Sequence, residues 1–166
     1  LDLQVTATAG GLDLDLRGHG PVTEVERQAL IAAAGEADLA RLSLHGDVLV
    51  ERRAPLVVMG RAEVHLPPGS FLQATARGED ALAALALEGL GRAKRVADLF
   101  AGAGPFALRA AEAAEVHAVE GDAAALSALD RAARTTPGLR RVSVERRDLF
   151  RRPLLAPELA RFDAVV

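Results

Sequence analysis

Three acidic residues, each placed after an apolar run, are the groups in this chain best suited to chemistry: Asp98, Glu120 and Asp148. Asp98 closes "RVAD" and leads into "LFAGAGPF", where Gly102 and Gly104 flank one alanine. Glycines at that point let a backbone pass close to a ligand, and a helix amino terminus behind them would add positive potential. Glu120 ends "EVHAVE" about 20 residues further on, where a carboxylate can accept hydrogen bonds from ribose hydroxyls. Asp148 follows "RVSVE" and is placed to accept from an exocyclic amine such as that of adenine. Three consecutive strand ends, each with a suitable group, fit a ligand that carries adenosine.

The choice among adenosine ligands turns on what the loop lacks. A dinucleotide fingerprint wants a third glycine three residues after the second, and Ala107 occupies that position. Phe106 would also crowd a pyrophosphate. An acid just before the loop suits the cationic ammonium and sulfonium groups of S-adenosylmethionine, so Asp98 favours that donor over a nicotinamide or flavin. Taken singly, Glu120 or Asp148 would read as a loop cap or a solvated turn residue.

These groups need a scaffold that brings strand ends together. From residue 76 the pattern alternates: a helix over 76–90 with Thr75 as N-cap, strand "RVADLF", a helix over 105–114, strand "EVHAVE", a helix over 122–134, strand "RVSVE", a short helix and strand "FDAVV". Strands that are apolar throughout, each followed by a helix, predict a parallel sheet covered by helices, with ligands at the carboxyl ends of the strands. The first third is β-rich instead. "LDLQVTATAGGLDLDL" alternates on both sides of Gly10-Gly11, which predicts a hairpin. A helix is expected from Val22 to about Ala34, with Thr23 and Glu26 at capping-box spacing. A second hairpin is expected around Gly46-Asp47, and one more strand in "EVHLPPGSF". The break at Pro67-Pro68 divides the chain into a β-rich domain over 1–66 and an α/β domain over 67–166.

Composition narrows the classes. The chain has 166 residues, half of them apolar, with a formal net charge of -3 and no cysteine. Disulfides, thiolate metal sites and a cysteine nucleophile within these residues are therefore excluded. The four histidines lie singly, without ligand spacing, and no metal site is expected. The apolar run "ALAALALEGL" is too short to span a membrane and is broken by Glu88. No charged leader precedes an apolar signal core, so a cytoplasmic location is expected. A chain that opens without Met and ends within a strand reads as an internal piece of a longer protein.

"LPPGSFLQAT", followed by a helix and then by "VADLFAGAGPFALRAA", "VHAVEGD" and "RRDLF", resembles the bacterial RNA uracil-C5 methyltransferases from about Leu66 to Val166. The resemblance implies an α/β fold: the first half of a Rossmann-like class I methyltransferase parallel sheet, preceded by a small β-rich central domain. It also implies an S-adenosylmethionine-dependent enzyme that methylates C5 of uridine in rRNA or tRNA. The glutamine of the family's F-x-Q element, which reaches the cofactor, corresponds to Gln73. The phenylalanine before the glycine loop corresponds to Phe100, and the residue after the second glycine to Pro105. The ribose-binding acid corresponds to Glu120 and the polar residue after the third strand to Asp148. Two positions depart from the family pattern: Thr75 stands where an asparagine is usual, and Pro105 where a polar residue often lies. The family's Asp-Pro-Pro-Arg element, catalytic cysteine and glutamate base would follow "FDAVV" and are not in this sequence. No catalytic residue is therefore assigned within it.

"LRRVSVERRDLFRRP" concentrates six arginines, Arg140, Arg141, Arg146, Arg147, Arg151 and Arg152. A phosphate-contacting rim is one reading. With Glu145 and Asp148 interspersed, and with no aromatic partner assigned, a solvated face is the reading preferred. Two other functions remain open at this point: a methyltransferase for a small molecule or protein, and a non-catalytic module that binds RNA or a partner.

Overall fold

The computed structural model describes residues 1–166, which divide into two compact units. The first comprises 1–57 and 65–70; the second comprises 58–64 and 71–166.

In the first unit, β1 (Asp2–Thr8) and β2 (Gly11–Arg17) form the expected antiparallel hairpin, with Thr8 opposite Gly11 at φ 120°. Next comes α1 (Glu24–Glu36), whose Thr23 and Glu26 complete a capping box. This helix serves as a crossover. It returns the chain so that β3 (Arg41–Leu44) lies parallel to β2, and β4 (Asp47–Glu51) then pairs antiparallel to β3. Two hairpins in sequence thus become one four-stranded sheet in the order β1-β2-β3-β4. A parallel pair needs a long connection, which α1 supplies. A further hairpin joins β5 (Leu56–Met59) to β6 (Ala62–His65), and its residues 58–64 belong to the second unit. The sequence reading missed β5, though "LVVM" between Pro55 and Gly60 is a bounded apolar run of strand length.

Arg41 is 1% exposed in the middle of this sheet. Its Nε and Nη2 donate to Asp13 Oδ1 and Oδ2 at 2.8 and 2.7 Å, and its Nη1 donates to the Leu66 carbonyl at 2.8 Å. The bidentate geometry and the third bond satisfy a charge that would otherwise be costly to bury.

The second unit continues with α2 (Ala76–Leu90), capped by Thr75 and ended by Gly91 at φ 55°. After it come β7 (Arg95–Leu99), α3 (Ala107–Ala110), β8 (Glu115–Glu120), α4 (Ala123–Thr135), β9 (Val142–Arg146), α5 (Ala156–Leu159) and β10 (Ala164–Val165). The four strands are parallel in the order β10-β7-β8-β9. Val96, Val116 and Ala118 pack on one face with Ala107, Ala110, Ala111 and Leu129. On the other, Val119 packs with Leu149 and Leu154. The small alanines let helices approach the sheet closely, which suits a core with few aromatics.

One helix departs from expectation. Over 105–114 only Ala107–Ala110 is α-helical, followed by turns to Ala113. Alanine periodicity alone did not reveal this, because closely spaced turns can bury the same residues. The positive potential expected of a longer helix behind the glycine loop is correspondingly withdrawn.

Replacing Asp13 by Ala removes both bidentate acceptors and leaves the buried guanidinium only the more distant Glu51 carboxylate, 3.6 Å from Nη1, so it should cost about 3 kcal/mol of stability in urea denaturation. The double change Asp13→Ala with Arg41→Met should recover much of that loss, since it removes the buried charge that Glu51 alone compensates poorly.

Candidate functional site

The carboxyl ends of β7, β8 and β9 lie side by side, because these strands are consecutive neighbours in the sheet. That adjacency brings Glu120 to the glycine loop. Glu120 Oε2 accepts from the Gly102 N–H at 2.9 Å, and Oε1 accepts from the Asp122 N–H at 2.8 Å. One carboxylate therefore joins the loop after β7 to the start of α4. Asp122 in turn caps α4 by accepting from the Ala124 and Ala125 N–H groups at 2.7 and 3.1 Å.

The two glycines meet different demands. Gly102 has φ 53°, and a Cβ there would meet no atom within 4 Å, so open space lies beside it. Gly104 has φ 102°, and a Cβ would come within 2.9 Å of Leu129 Cγ and 3.0 Å of Leu108 Cγ. Its lack of a side chain is required by core packing and by backbone conformation. Pro105 is half-buried, and its carbonyl accepts from Arg109 Nη1 at 2.7 Å. Arg109 also pairs with Glu79 and Asp80 of α2, at 3.1 and 2.6 Å, and so anchors the loop's far end.

Asp98 is 1% exposed, and its Oδ2 has no hydrogen-bond partner. Burial pushes its carboxyl up to about 7, with the charge of Glu120 acting in the same direction and the Ala107 N–H against it. An orphaned buried carboxylate oxygen is rare in folded proteins and marks a place where a donor or cation would be accommodated.

A cavity of about 520 Å³ opens at these strand ends, lined by Phe100, Glu120, Asp148, Phe150, Arg146 and Arg152 among others. Phe100 has φ 61°, a conformation that costs a bulky residue on the order of 1–3 kcal/mol. Its ring, half exposed, meets Phe150 with centroids 5.1 Å apart. Asp148 is exposed; its Oδ1 accepts from the Phe150 and Arg151 N–H groups at 3.0 and 3.1 Å. It thus acts as a loop cap while lining the cavity.

Of the residues expected at the site, Phe100, Glu120 and Asp148 line this cavity, and Gly102 is tied to it through Glu120. Asp98, Gly104 and Pro105 belong to the loop and the strand beneath it. Gln73 is exposed in the segment before α2 and does not line the cavity. The sequence reading missed Phe150, although it lies two residues after Asp148 inside the arginine run.

A second cavity of about 230 Å³ sits at the opposite, amino ends of the strands, beside Arg95, His117, Arg141 and Phe162. There His117 contacts Ser143 Oγ at 2.9 Å and Glu145 Oε2 at 3.1 Å. No group of three or more His, Asp or Glu is placed to hold a metal ion. No helix is long and apolar enough to cross a membrane.

The parallel sheet with its glycine loop and strand-end acids has a Rossmann-like α/β architecture. Solved structures agree on the fold. The Pyrococcus abyssi tRNA (uracil-54, C5)-methyltransferase in complex with S-adenosyl-L-homocysteine superposes with a TM-score of 0.59 at 14% identity, over 81% of this chain and 36% of that one. No protein-family model matches the chain. In sequence, it is 55% identical over 164 residues to an uncharacterized RNA methyltransferase of Brucella melitensis, a match covering 99% of this chain and 40% of the relative. It is also 32% identical over 127 residues to the 23S rRNA (uracil(1939)-C(5))-methyltransferase RlmD of Shewanella amazonensis, covering 72% of this chain and 29% of that protein. The chain thus spans about 40% of the length of the curated relatives that it matches most fully.

Asp98 should leave a signature in stability. An unfolded aspartate titrates near 3.9, and the folded one at about 7. Below about pH 4 both states hold the proton and Asp98 costs nothing. Between about pH 4 and 7 the unfolded state releases its proton first, so stability falls as pH rises; above that the cost levels off at roughly 4 kcal/mol. Asp98→Asn should flatten this window and be more stable than the parent at pH 8. Parallel urea-denaturation profiles of the two proteins across pH 4 to 8 would refute the assignment.

Proposed function

We propose that the protein containing this chain is an S-adenosylmethionine-dependent RNA methyltransferase, and that it methylates C5 of uridine in rRNA or tRNA. The observation that carries the donor is the clamp at Glu120, which sits at the second strand end with the glycine loop drawn onto it. RNA as substrate is supported by the relatives named RNA methyltransferases. Uridine C5 is supported by the more distant RlmD relative and by the "LPPGSFLQAT" element.

The residues present suit the donor. Asp98 offers a buried oxygen without a partner, which a cationic ligand nearby would favour in its ionised form. Glu120 would hold the ribose hydroxyls and Asp148 the adenine amine, and Gln73 would reach the cofactor as the F-x-Q resemblance implies. Phe100, Gly102, Gly104 and Pro105 would shape the loop around them. When bound, the donor supplies an electrophilic methyl group on its sulfonium. The chain's own groups bind and orient it, and they neutralise its positive charge with carboxylates in a partly dry setting. The domain division expected from sequence, 1–66 as connector and 67–166 as cofactor domain, belongs to the same proposal.

Two measurements test this reading. Calorimetry should show adenosylhomocysteine binding to the parent and none to Glu120→Ala, while Glu120→Gln, which keeps one acceptor for a loop N–H, should retain the fold by circular dichroism. Incubating the intact protein with methyl-labelled donor and unmodified rRNA or tRNA, then digesting to nucleosides, should yield labelled 5-methyluridine. Label in another nucleoside would retain the class and overturn the uridine assignment; label in protein alone would overturn both.

A further inference from the structure

The six arginines clustered in sequence over 140–152 are separated by the fold. Arg140 and Arg141 stand at the amino end of β9, away from the glycine loop. Arg147 turns into ion pairs with Glu158 at 2.6 Å and Glu145 at 3.3 Å, and it also donates to the Arg152 and Pro153 carbonyls. Arg151 lies 3.5 Å from Asp148. Arg146 and Arg152 have no carboxylate partner, and Arg146 Nε reaches only the Gly121 carbonyl at 3.4 Å. Both line the cavity at the strand ends. Phe150, 90% exposed, lines the same cavity and is supported on one side by Phe100.

An exposed phenylalanine that shares a cavity rim with two guanidiniums lacking carboxylate partners is a poor surface for water and a good one for nucleic acid. Base–aromatic stacking uses the ring, and phosphodiesters use the charges. We propose that Phe150, Arg146 and Arg152 form a docking face for single-stranded RNA at the rim of this cavity, with one base stacked on Phe150 and the adjoining phosphates held by the two arginines. This rests on the RNA methyltransferase reading and adds where the strand lies.

Charge decides between RNA and the methyl donor as the occupant of this face. The adenosyl end of S-adenosylmethionine carries no negative charge, so it cannot neutralise Arg146 and Arg152. Neither acid that lines the cavity forms an ion pair with them: Glu120 is turned to the Gly102 and Asp122 N–H groups, and Asp148 caps its own turn beside Arg151. A polyanion supplies the missing charge. The ring pair points the same way: with centroids 5.1 Å apart and planes inclined at 50°, Phe100 and Phe150 leave no slot for an adenine between them. The outer face of Phe150 is the one open to a base.

The test uses the intact protein and a fluorescent single-stranded oligoribonucleotide, titrated at several salt concentrations, with adenosylhomocysteine calorimetry and RNA methylation run in parallel. Arg146→Gln with Arg152→Gln should weaken RNA binding and reduce the slope of log affinity against log salt by about 1.4, as expected for two lost phosphate contacts on a single strand. Adenosylhomocysteine affinity should stay unchanged in that double variant. Phe150→Ala should weaken RNA binding about tenfold or more, and Phe150→Tyr should restore it. These positions are at the surface, and circular dichroism with a thermal melt controls for folding. Unchanged RNA affinity and salt slope would show a solvated face and overturn the proposal while leaving the methyltransferase reading intact. A loss confined to adenosylhomocysteine in Phe150→Ala would make the ring an adenine clamp and overturn it equally. A parent protein that neither binds nor methylates RNA would end both readings together.

Discussion

Two backbone N–H groups, from Gly102 and Asp122, converge on the carboxylate of Glu120 at 2.9 and 2.8 Å. Adjacent strands of a parallel sheet are held together along their length by the ladder, and one further backbone bond, from the Ala101 N–H to the Val119 carbonyl at 3.1 Å, carries that hold into the loop. The Glu120 carboxylate at the end of β8 extends it to Gly102 and to the start of α4. Charge-assisted bonds to backbone donors are stronger than neutral ones, and their direction fixes the loop's height above the strand. The Glu120 charge also acts inward, where it helps keep the proton on buried Asp98. With Asp98 protonated, the pair presents one negative charge in place of two, which lowers the cost of placing both acids in a partly dry site.

The loop itself is held by packing as much as by hydrogen bonds. Leu108 and Leu129 occupy the space that a side chain at position 104 would need, so the second glycine belongs to the core as well as to the site. Arg109 links the Pro105 carbonyl to Glu79 and Asp80, tying the single turn of α3 to α2. Phe100, at the near end, is the one member in a strained backbone conformation, and its ring is turned outward to meet Phe150. A loop anchored at both ends, with open space beside Gly102, can hold a ligand without ordering a flexible segment on binding.

The first unit shows the same economy in another form. Its sheet carries a buried Arg41–Asp13 pair where an aliphatic pair could have served. The third Arg41 bond, to the Leu66 carbonyl, ties the residues just before Pro67 to the sheet. The pair therefore contributes a specific connection along with the stability of a satisfied charge. Removing one member costs far more than the pair gains.

Much of the scaffold was legible from residue pattern. Alternation around Gly10-Gly11, the caps at Thr23 and Thr75, and the succession of apolar strands and alanine-rich helices are local consequences of burial period and capping chemistry. They suffice for the parallel sheet and for the placement of Glu120 and Asp148 at neighbouring strand ends. Pairing across distant segments could not be read in that way. The parallel contact of β2 with β3, the shortening of α3 to one turn, and the demand of Leu129 on Gly104 all arise from residues far apart in sequence. The arginine run makes the contrast plainest. The sequence by itself determined that six cations and a phenylalanine lie within a dozen or so residues. Only the tertiary structure decided that Glu158, from a later helix, would neutralise Arg147, and that Phe100, from an earlier loop, would support Phe150 beside Arg146 and Arg152. A side chain's charge is a property of its residue, whereas its neutralisation is a property of what the fold packs against it.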